Sequence, residues 1–98
     1  MPRFKYAAVD NTGGTLRSSN GGVIVQQGVS VTGGTISNTT GGSYALANNG
    51  NNFLRGVTVA GGSTVDMASG LSTARVTNGL TNNGTIVINA DSILSFEG

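Results

Sequence analysis

The chain has 98 residues and a formal net charge of +1, and it contains no cysteine and no histidine. These counts exclude a disulfide framework and any metal site built from thiolate or imidazole ligands. The five basic residues are too few for the stripe that neutralises nucleic-acid phosphates, and about half of the chain is Gly, Asn, Thr or Ser, which leaves little material for a bulky globular core.

The pattern predicts short β-strands and no helix. Glycine recurs every few residues, and each glycine costs a helix about 1 kcal/mol relative to alanine. No window places apolar residues at helical spacing, whereas apolar and polar residues alternate in several short stretches. In chain order, strands are predicted at 4–9, 15–17, 23–26, 29–31, 35–37, 44–47, 53–54, 57–59, 64–67, 74–77, 84–89 and 93–96.

Residues 9–22 and 29–42 are two copies of a 20-residue repeat. In both copies an aliphatic residue precedes Thr-Gly-Gly-Thr, a second aliphatic residue follows it, and a glycine pair closes the copy. Such a repeat of β-formers and paired glycines is typical of a solenoid, in which each repeat forms one coil. We therefore predict an all-β fold, a short parallel β-helix (β-solenoid) of about four to five coils. The alternative is an antiparallel β-sandwich, which short strands at regular spacing also allow.

The later returns of the pattern are less regular. Residues 28–31 return as 56–59, after a 28-residue step, and then as 79–81. We interpret the 28-residue step as a 20-residue coil plus an eight-residue excursion at the polar stretch 47–52. The predicted organisation is a single domain, 1–98, with 1–8 as a candidate N-terminal cap strand, 9–89 as coils with a polar loop near 47–52, and 90–98 as a candidate C-terminal cap.

Stacked coils share a thin core because each coil is covered by its neighbours. We expect equivalent residues to lie directly above one another, for example Val9 over Val29 and Leu16 over Ile36. The outward Thr residues should form rows along the stack, and aligned Asn side chains should share hydrogen bonds. The residues expected to point inward are Val9, Leu16, Val23 or Val25, Val29, Val31, Ile36, Leu46, Leu54, Val57, Val59, Val65, Met67, Val76, Leu80, Ile86, Ile88 and Leu94.

The glycine pairs at 13–14 and 33–34, and those that follow them, resemble repeats of autotransporter passenger domains and related filamentous-haemagglutinin-type adhesins. Residues 79–89, in which Asn, Gly and Thr precede alternating aliphatic residues, resemble coils of large bacterial surface proteins. The resemblance covers roughly residues 9–89. It implies a right-handed parallel β-helix that is exported and serves as a stalk or an adhesive surface.

Charged residues are the only candidates for chemistry. Enzymes that cleave polysaccharides on β-helix scaffolds need clustered carboxylates, or carboxylates beside Arg or Lys. The spacing from Asp66 to Asp91 is close to one coil, and so is that from Arg55 to Arg75, so each pair could stack on one face. Exposed single charges are the default on protein surfaces, and we therefore predict no enzyme and no catalytic, cofactor-binding or metal-binding residue. The candidates weighed are Asp10, Asp66, Asp91, Glu97, Arg55 and Arg75.

The expected function is that of a non-catalytic structural or adhesive module of a bacterial surface or extracellular fibre. A short solenoid leaves two open strand edges, so we expect it to associate with copies of itself through stacked β-coils. The alternative is a phage or virion fibre or decoration protein, and a third interpretation is a carbohydrate-binding or polysaccharide-degrading β-helix.

The expected partners are other copies of the chain and a cell-surface glycan. Nucleic acid is excluded by the charge, and no apolar run reaches the length of a membrane-spanning segment. Residues 1–6 lack the apolar stretch of a secretory signal. The expected location is extracellular or at the cell surface, with the virion as the alternative.

Overall fold

A computed structural model of the chain describes residues 3–5, 8–39, 41–47, 49–67, 71–89 and 91–97. These residues form β-strands, turns and bends, and no helix occurs among them. All of the strand pairs are parallel, and they wind into a β-solenoid of about four turns. The predicted parallel β-helix is therefore confirmed, and the antiparallel β-sandwich is wrong. Of the two predicted caps, residues 1, 2, 6, 7, 90 and 98 lie outside the described residues.

The strands are short, as the composition predicts, and two of them turn a corner of the solenoid without a break. These two are β8 and β10, in which the backbone has positive φ at Gly56 and at Asn78 and Gly79, respectively. The strands are β1 (Arg3–Lys5), β2 (Ala8–Asp10), β3 (Thr15–Ser18), β4 (Val23–Gln27), β5 (Ser30–Thr32), β6 (Thr35–Asn38), β7 (Ser43–Leu46), β8 (Asn52–Val59), β9 (Thr64–Met67), β10 (Thr73–Asn82), β11 (Thr85–Ile88) and β12 (Ile93–Phe96).

The solenoid has three faces, which follow one another around each coil. The first face is the sheet β1-β4-β7-β9-β11, with one strand from each of five coils. The second face contains β2, β5, the first halves of β8 and β10, and β12. The third face contains β3, β6 and the second halves of β8 and β10. Four coils thus contribute to all three faces, and the fifth contributes β11 and β12.

The core consists of columns of side chains that repeat from coil to coil. On the first face, one column is Ile24, Tyr44, Val65 and Ile86, each the ladder partner of the next. Partly buried Val9, Leu16, Leu80, Ile86 and Leu94 pack against the core cluster, as predicted. The cluster itself contains Ile24, Val29, Val31, Ile36, Tyr44, Leu46, Leu54, Val57, Val59, Val65, Met67 and Ala74.

The expectation that Val23 or Val25 points into the core is met only in that Val25 is buried. The structure places Ile24 in the core cluster, whereas Val25, although buried, is the ladder partner of Ala45 on the outer side of the first face. Residues 23–25 are all aliphatic, so the sequence does not show which of them points inward. The inward position is instead fixed by the ladder, which sets Ile24 against Tyr44.

Gln26 and Tyr44 form a buried polar pair in the core, because the alternation of side chains along β4 points Gln26 inward. The Tyr44 hydroxyl donates to Gln26 Oε1 at 2.7 Å, and Gln26 Nε2 donates to the carbonyl oxygens of Val29 at 2.8 Å and Phe53 at 3.1 Å. Both side chains are fully buried. Every polar side-chain atom of the pair thus has a partner, which is the condition under which a buried polar network is tolerated.

The expected vertical neighbours are half right. Leu16 lies beside Ile36 as expected, but Val9 is the ladder partner of Val31 and not of Val29. On the second face, the residue that stacks on a given residue therefore lies two positions after the residue that matches it in the sequence.

A difference in corner length explains the displacement. Asp10 pairs with Thr32, which is a 22-residue offset, whereas Thr15 pairs with Thr35 after the corner, which is a 20-residue offset. The first coil therefore has two more residues at this corner than the second coil, whose corner is only 33–34. Corners absorb changes in coil length, and the ladders on either side remain in register.

The interpretation of the 28-residue step is also wrong. Residues 56–59 lie over 33–36, because Thr58 pairs with Thr35 across a 23-residue offset. The ladders have a 20-residue offset before the polar corner near 47–52 and a 23-residue offset after it. The excursion is therefore three residues longer than the equivalent corner of the coil before it, not eight.

A row of identical polar side chains runs along the third face. Thr15, Thr35, Thr58 and Thr81 are successive ladder partners, so the expected Thr row is present. Asn38 behaves differently from the expectation, because it bonds to backbone groups of the next coil. Asn38 Nδ2 donates to the Thr64 carbonyl oxygen at 2.7 Å, and Asn38 Oδ1 accepts from the Thr64 N–H at 2.9 Å.

The corner at Gly34 requires a glycine for two reasons. Its φ is +71°, and a Cβ there would overlap the carbonyl oxygens of Asn11 and Gly14 in the coil below. Asn11 fills this corner, and its N–H donates to the Thr32 carbonyl oxygen at 2.8 Å. The second coil can follow the first this closely only because no side chain separates them.

Gly34→Ala should therefore destabilise the protein more than Gly13→Ala. Gly13 has nearly the same φ, +73°, but no atom lies within 4 Å of the position of its Cβ. Both substitutions carry the cost of the left-handed backbone, about 1–2 kcal/mol, and only Gly34→Ala adds overlap with backbone atoms, which we expect to cost at least ~2 kcal/mol more. Urea denaturation of the two variants measures the difference, and equal losses of stability would contradict the close approach.

Tyr44 should make the stability fall at alkaline pH. Burial raises the pKa of Tyr44 above its ordinary value. Below about pH 10 the phenol keeps its proton in both states, and above that pH the unfolded chain ionises first, so the free energy of unfolding falls as the pH rises toward the folded-state pKa.

Urea denaturation of the wild type and Tyr44→Phe at pH 7 and about pH 11 tests this. The variant should lose about 1–2 kcal/mol at pH 7, because Gln26 Oε1 loses its donor. Its further decline at the higher pH should be smaller than that of the wild type. An equal decline in both proteins would show that Tyr44 does not carry the effect.

Candidate functional site

The outer surface of the second face carries two arginines beside an aromatic ring. Leu54 and Val76 point into the core, so the residues on either side of them in β8 and β10 point outward. Two outer columns result, one with Phe53 beside Arg75 and one with Arg55 beside Thr77. We call the set Phe53, Arg55, Arg75, Thr77 and Glu97 the arginine patch.

Arg55 is held flat against the surface. Its Cζ lies 4.3 Å from the centroid of the Phe53 ring, which is the geometry of a cation–π contact. Its Nη1 donates to Thr77 Oγ1 at 3.2 Å. Among the residues that the structure describes, no carboxylate forms an ion pair with Arg55. Its positive charge is therefore presented on the outer surface without neutralisation by these residues.

Arg75 is neutralised, in contrast to Arg55. Its Nη1 lies 2.8 Å from Glu97 Oε2, and its Nε donates to the Gly50 carbonyl oxygen at 2.8 Å. The Ser95 hydroxyl donates to the same oxygen of Glu97 at 3.0 Å. The guanidinium also lies 5.9 Å from the centroid of the Phe53 ring. These contacts connect the polar corner near Gly50 to the last strand.

The two arginines share a face, but they do not stack in one column. Arg55 pairs with Thr32 and Thr77, whereas Arg75 pairs with Phe53 and Ser95. The spacing of the arginines in the sequence therefore predicted the face correctly. Residues of β8 pair here with residues 22 positions later in β10. Arg75 therefore lies two positions before Thr77, the ladder partner of Arg55.

Asp66 and Asp91 do not stack. Asp66 lies on the outer side of β9 with Ala45 and Val87 as its ladder partners. Asp91 lies in the turn between β11 and β12, where its N–H donates to Asn89 Oδ1 at 3.0 Å. Residues of β9 pair with residues 21 positions later in β11, and the two aspartates are farther apart than this in the sequence. Asp91 therefore lies beyond the last residue pair of the ladder.

The other two carboxylates are too far apart for glycoside hydrolysis. Asp10 lies in the first coil and Glu97 follows the last strand in the fifth coil, so four strand spacings, about 19 Å, separate their backbones. Paired catalytic carboxylates lie about 5–10 Å apart. Hydrogen bonds from the hydroxyl and the N–H of Thr12 also lower the pKa of Asp10, which makes it a weak base.

The described part of the chain offers no enclosed site. It contains no pocket and no group of three or more Asp, Glu, His or Cys side chains that could hold a metal ion. It also contains no helix of the length and apolarity needed to cross a membrane. A ligand of these residues would have to bind on the open wall or at an end of the solenoid.

Phe53 is the residue of this site that the sequence reasoning missed. Its position two residues before Arg55 on a predicted strand places both side chains on the same side, and this signal was available. The contact of Arg75 with the ring depends on the 22-residue offset, which the sequence spacing did not reveal.

No family model, no curated protein and no solved structure matches the chain. The resemblance to autotransporter passenger domains and filamentous-haemagglutinin-type adhesins therefore stays a prediction.

Proposed function

We propose that the protein is a non-catalytic structural or adhesive module of a bacterial surface or extracellular fibre, and that its copies associate through their stacked β-coils. One observation carries the proposal. The large hydrophobic side chains that the structure describes as exposed are Leu71, Val87, Ile88, Ile93 and Phe96, and all of them lie in the last part of the chain. Two of them, Ile88 and Phe96, are the ladder partners of buried Met67 and Val76, and exposed apolar surface of this kind is typical of a protein–protein contact.

The form of the molecule supports the same function. Parallel ladders connect each coil to the next, so the solenoid is a rigid element whose length grows with the number of coils. The described residues form no pocket, and the third face carries a row of Thr side chains, which suits a spacer or a contact surface better than it suits a reaction site.

A phage or virion fibre or decoration protein is the alternative setting, since it needs the same self-associating solenoid. The two settings differ in location, which is the cell surface or extracellular space in one and the assembled particle in the other. Immunogold labelling of cells and of released particles separates them.

Self-association should depend on concentration. Sedimentation velocity over about 1–500 µM, a range that includes weak interfaces, should show growth from monomers to larger species, and negative-stain microscopy should show elongated particles at the upper end. Association should persist at about 1 M salt, because the exposed surface is apolar. A protein that remains monomeric over the whole range contradicts the proposal.

Adhesion to an acidic glycan is a second candidate function, and the unneutralised Arg55 beside Phe53 and Thr77 favours it. A guanidinium on an open wall can bind the carboxylate of a uronic acid, and nearby hydroxyls can bind sugar hydroxyls.

Polygalacturonate should therefore bind more tightly than neutral dextran in calorimetric titration. Arg55→Gln should weaken binding about tenfold, which is the loss of one charge-assisted hydrogen bond. Arg17→Gln is the matched control, because Arg17 is an exposed arginine on the third face, and it should bind like the wild type. Equal weakening by both variants would indicate attraction to overall charge and exclude a site at Arg55.

A further inference from the structure

The fifth coil leaves two core columns open. Met67 is fully buried, whereas its ladder partner Ile88 is 44% exposed. On the second face Val76 is 1% exposed, and its ladder partner Phe96 is 65% exposed. Ile88 and Phe96 occupy core positions that lack only the cover of another coil.

The backbone at this end is open as well. Among the described strands, β11 pairs only with β9, and β12 pairs only with β10. Each therefore presents one row of N–H and C=O groups that no described strand pairs with. Such edges bind other strands, and apolar side chains beside them strengthen the contact.

The first coil presents the complementary edge. Within the described part of the chain, its strands β1 and β2 pair only with β4 and β5, and Val9 is a partly buried core residue of the same column as Phe96. A second copy placed above the fifth coil would offer strands with the same direction, the same spacing and the same core column as a sixth coil.

We propose that the C-terminal end of one copy binds the N-terminal end of another, with β1 of the second copy beside β11 and its β2 beside β12. This inference rests on the self-association of the proposed function and specifies its surface and its polarity. The interface is heterologous, and because the second copy continues the stack of coils along the solenoid axis, the contact repeats without closing and the product is a linear assembly.

The size of the end is sufficient for a weak but specific contact. The molecule measures 31 × 28 × 24 Å. A cross-section with two of these dimensions as its axes covers about 500–700 Å² on each partner, which is close to the ~800 Å² of a standard interface. Parallel strand pairing across this area would add directional hydrogen bonds to the apolar contact.

One feature of the end opposes the contact. In the proposed register, Asp10 of the second copy lies one strand spacing from Glu97, and hydrogen bonds from Thr12 lower the pKa of Asp10. The groups around this pair are Arg75, which is ion-paired with Glu97, and the hydroxyl of Ser95. Repulsion between the two carboxylates should weaken the head-to-tail contact and leave a contact between two C-terminal ends unaffected.

Ile88→Glu and Val87→Glu form a matched test. The two residues are neighbours in β11 and are 44% and 40% exposed, but Ile88 continues a core column and Val87 lies on the outer side beside Asp66. Sedimentation velocity should show at least tenfold weaker association for Ile88→Glu and little change for Val87→Glu. Equal effects of the two substitutions would overturn the inference.

Phe96→Glu and Ile93→Glu repeat the comparison on β12. They keep the test decisive if Ile88→Glu does not fold, since Phe96 continues a core column and Ile93 lies outside it. Circular dichroism and thermal melting establish that each variant folds before its association is measured.

Mixing establishes the polarity. Ile88→Glu blocks the C-terminal end and Val9→Glu blocks the N-terminal end, so neither should assemble alone, and an equal mixture should form dimers. Dimers of Val9→Glu alone would show that two C-terminal ends meet, which overturns this inference and leaves self-association intact. A wild-type protein that stays monomeric removes both.

Asp10→Asn should strengthen association, and this test leaves both ends of the solenoid free to bind. Asparagine keeps the acceptor for the Thr12 N–H, and the loss of one of two like charges about 5 Å apart should tighten association about threefold or more. Weaker or unchanged association would contradict the placement of Asp10 beside Glu97.

Discussion

The ladder between successive coils is the constraint on which the rest of the structure depends. Each buried side chain is covered mainly by the residue of the same column one coil before it and one coil after it, as Leu54 is covered by Val31 and Val76. A core built in this way needs few bulky residues, because every column is only one side chain wide. It also has no closed boundary, since the cover of each coil is supplied by the next coil.

The same ladder explains how so polar a chain can have an interior. Parallel coils bring backbone carbonyls and N–H groups to fixed positions near each corner, and short polar side chains reach them. Asn38 bonds both backbone groups of Thr64, and the Ser72 hydroxyl donates to the Leu46 carbonyl oxygen at 2.7 Å. The many Asn and Ser residues therefore connect the coils, and the composition that suggests a weak core is compatible with a rigid wall.

Sequence periodicity predicts the fold class and fails where coil length changes. The glycine pairs and the pairing of Leu16 with Ile36 follow directly from the 20-residue repeat. The partner of Val9 does not, because the first corner has two additional residues and a corner carries no periodic pattern that would reveal them. Spacing arguments for Asp66 with Asp91 fail for the same physical reason, since the offset between coils is a local quantity. The spacing of Arg55 and Arg75 still predicted their common face, because a difference of two residues keeps a side chain on the same side of its strand.

The wall and the end of the solenoid are suited to different tasks. The wall carries the arginine patch, where Arg55 is fixed by Phe53 and Thr77, and the end carries the open core columns at Ile88 and Phe96. In the proposed head-to-tail assembly, each added copy would place another arginine patch on the growing wall. A weak carboxylate site would then be repeated at regular intervals, and its avidity for a long acidic polymer would exceed its single-site affinity by orders of magnitude. Assembly through the end and adhesion through the wall are therefore mutually reinforcing, because the first multiplies the second without occupying its surface.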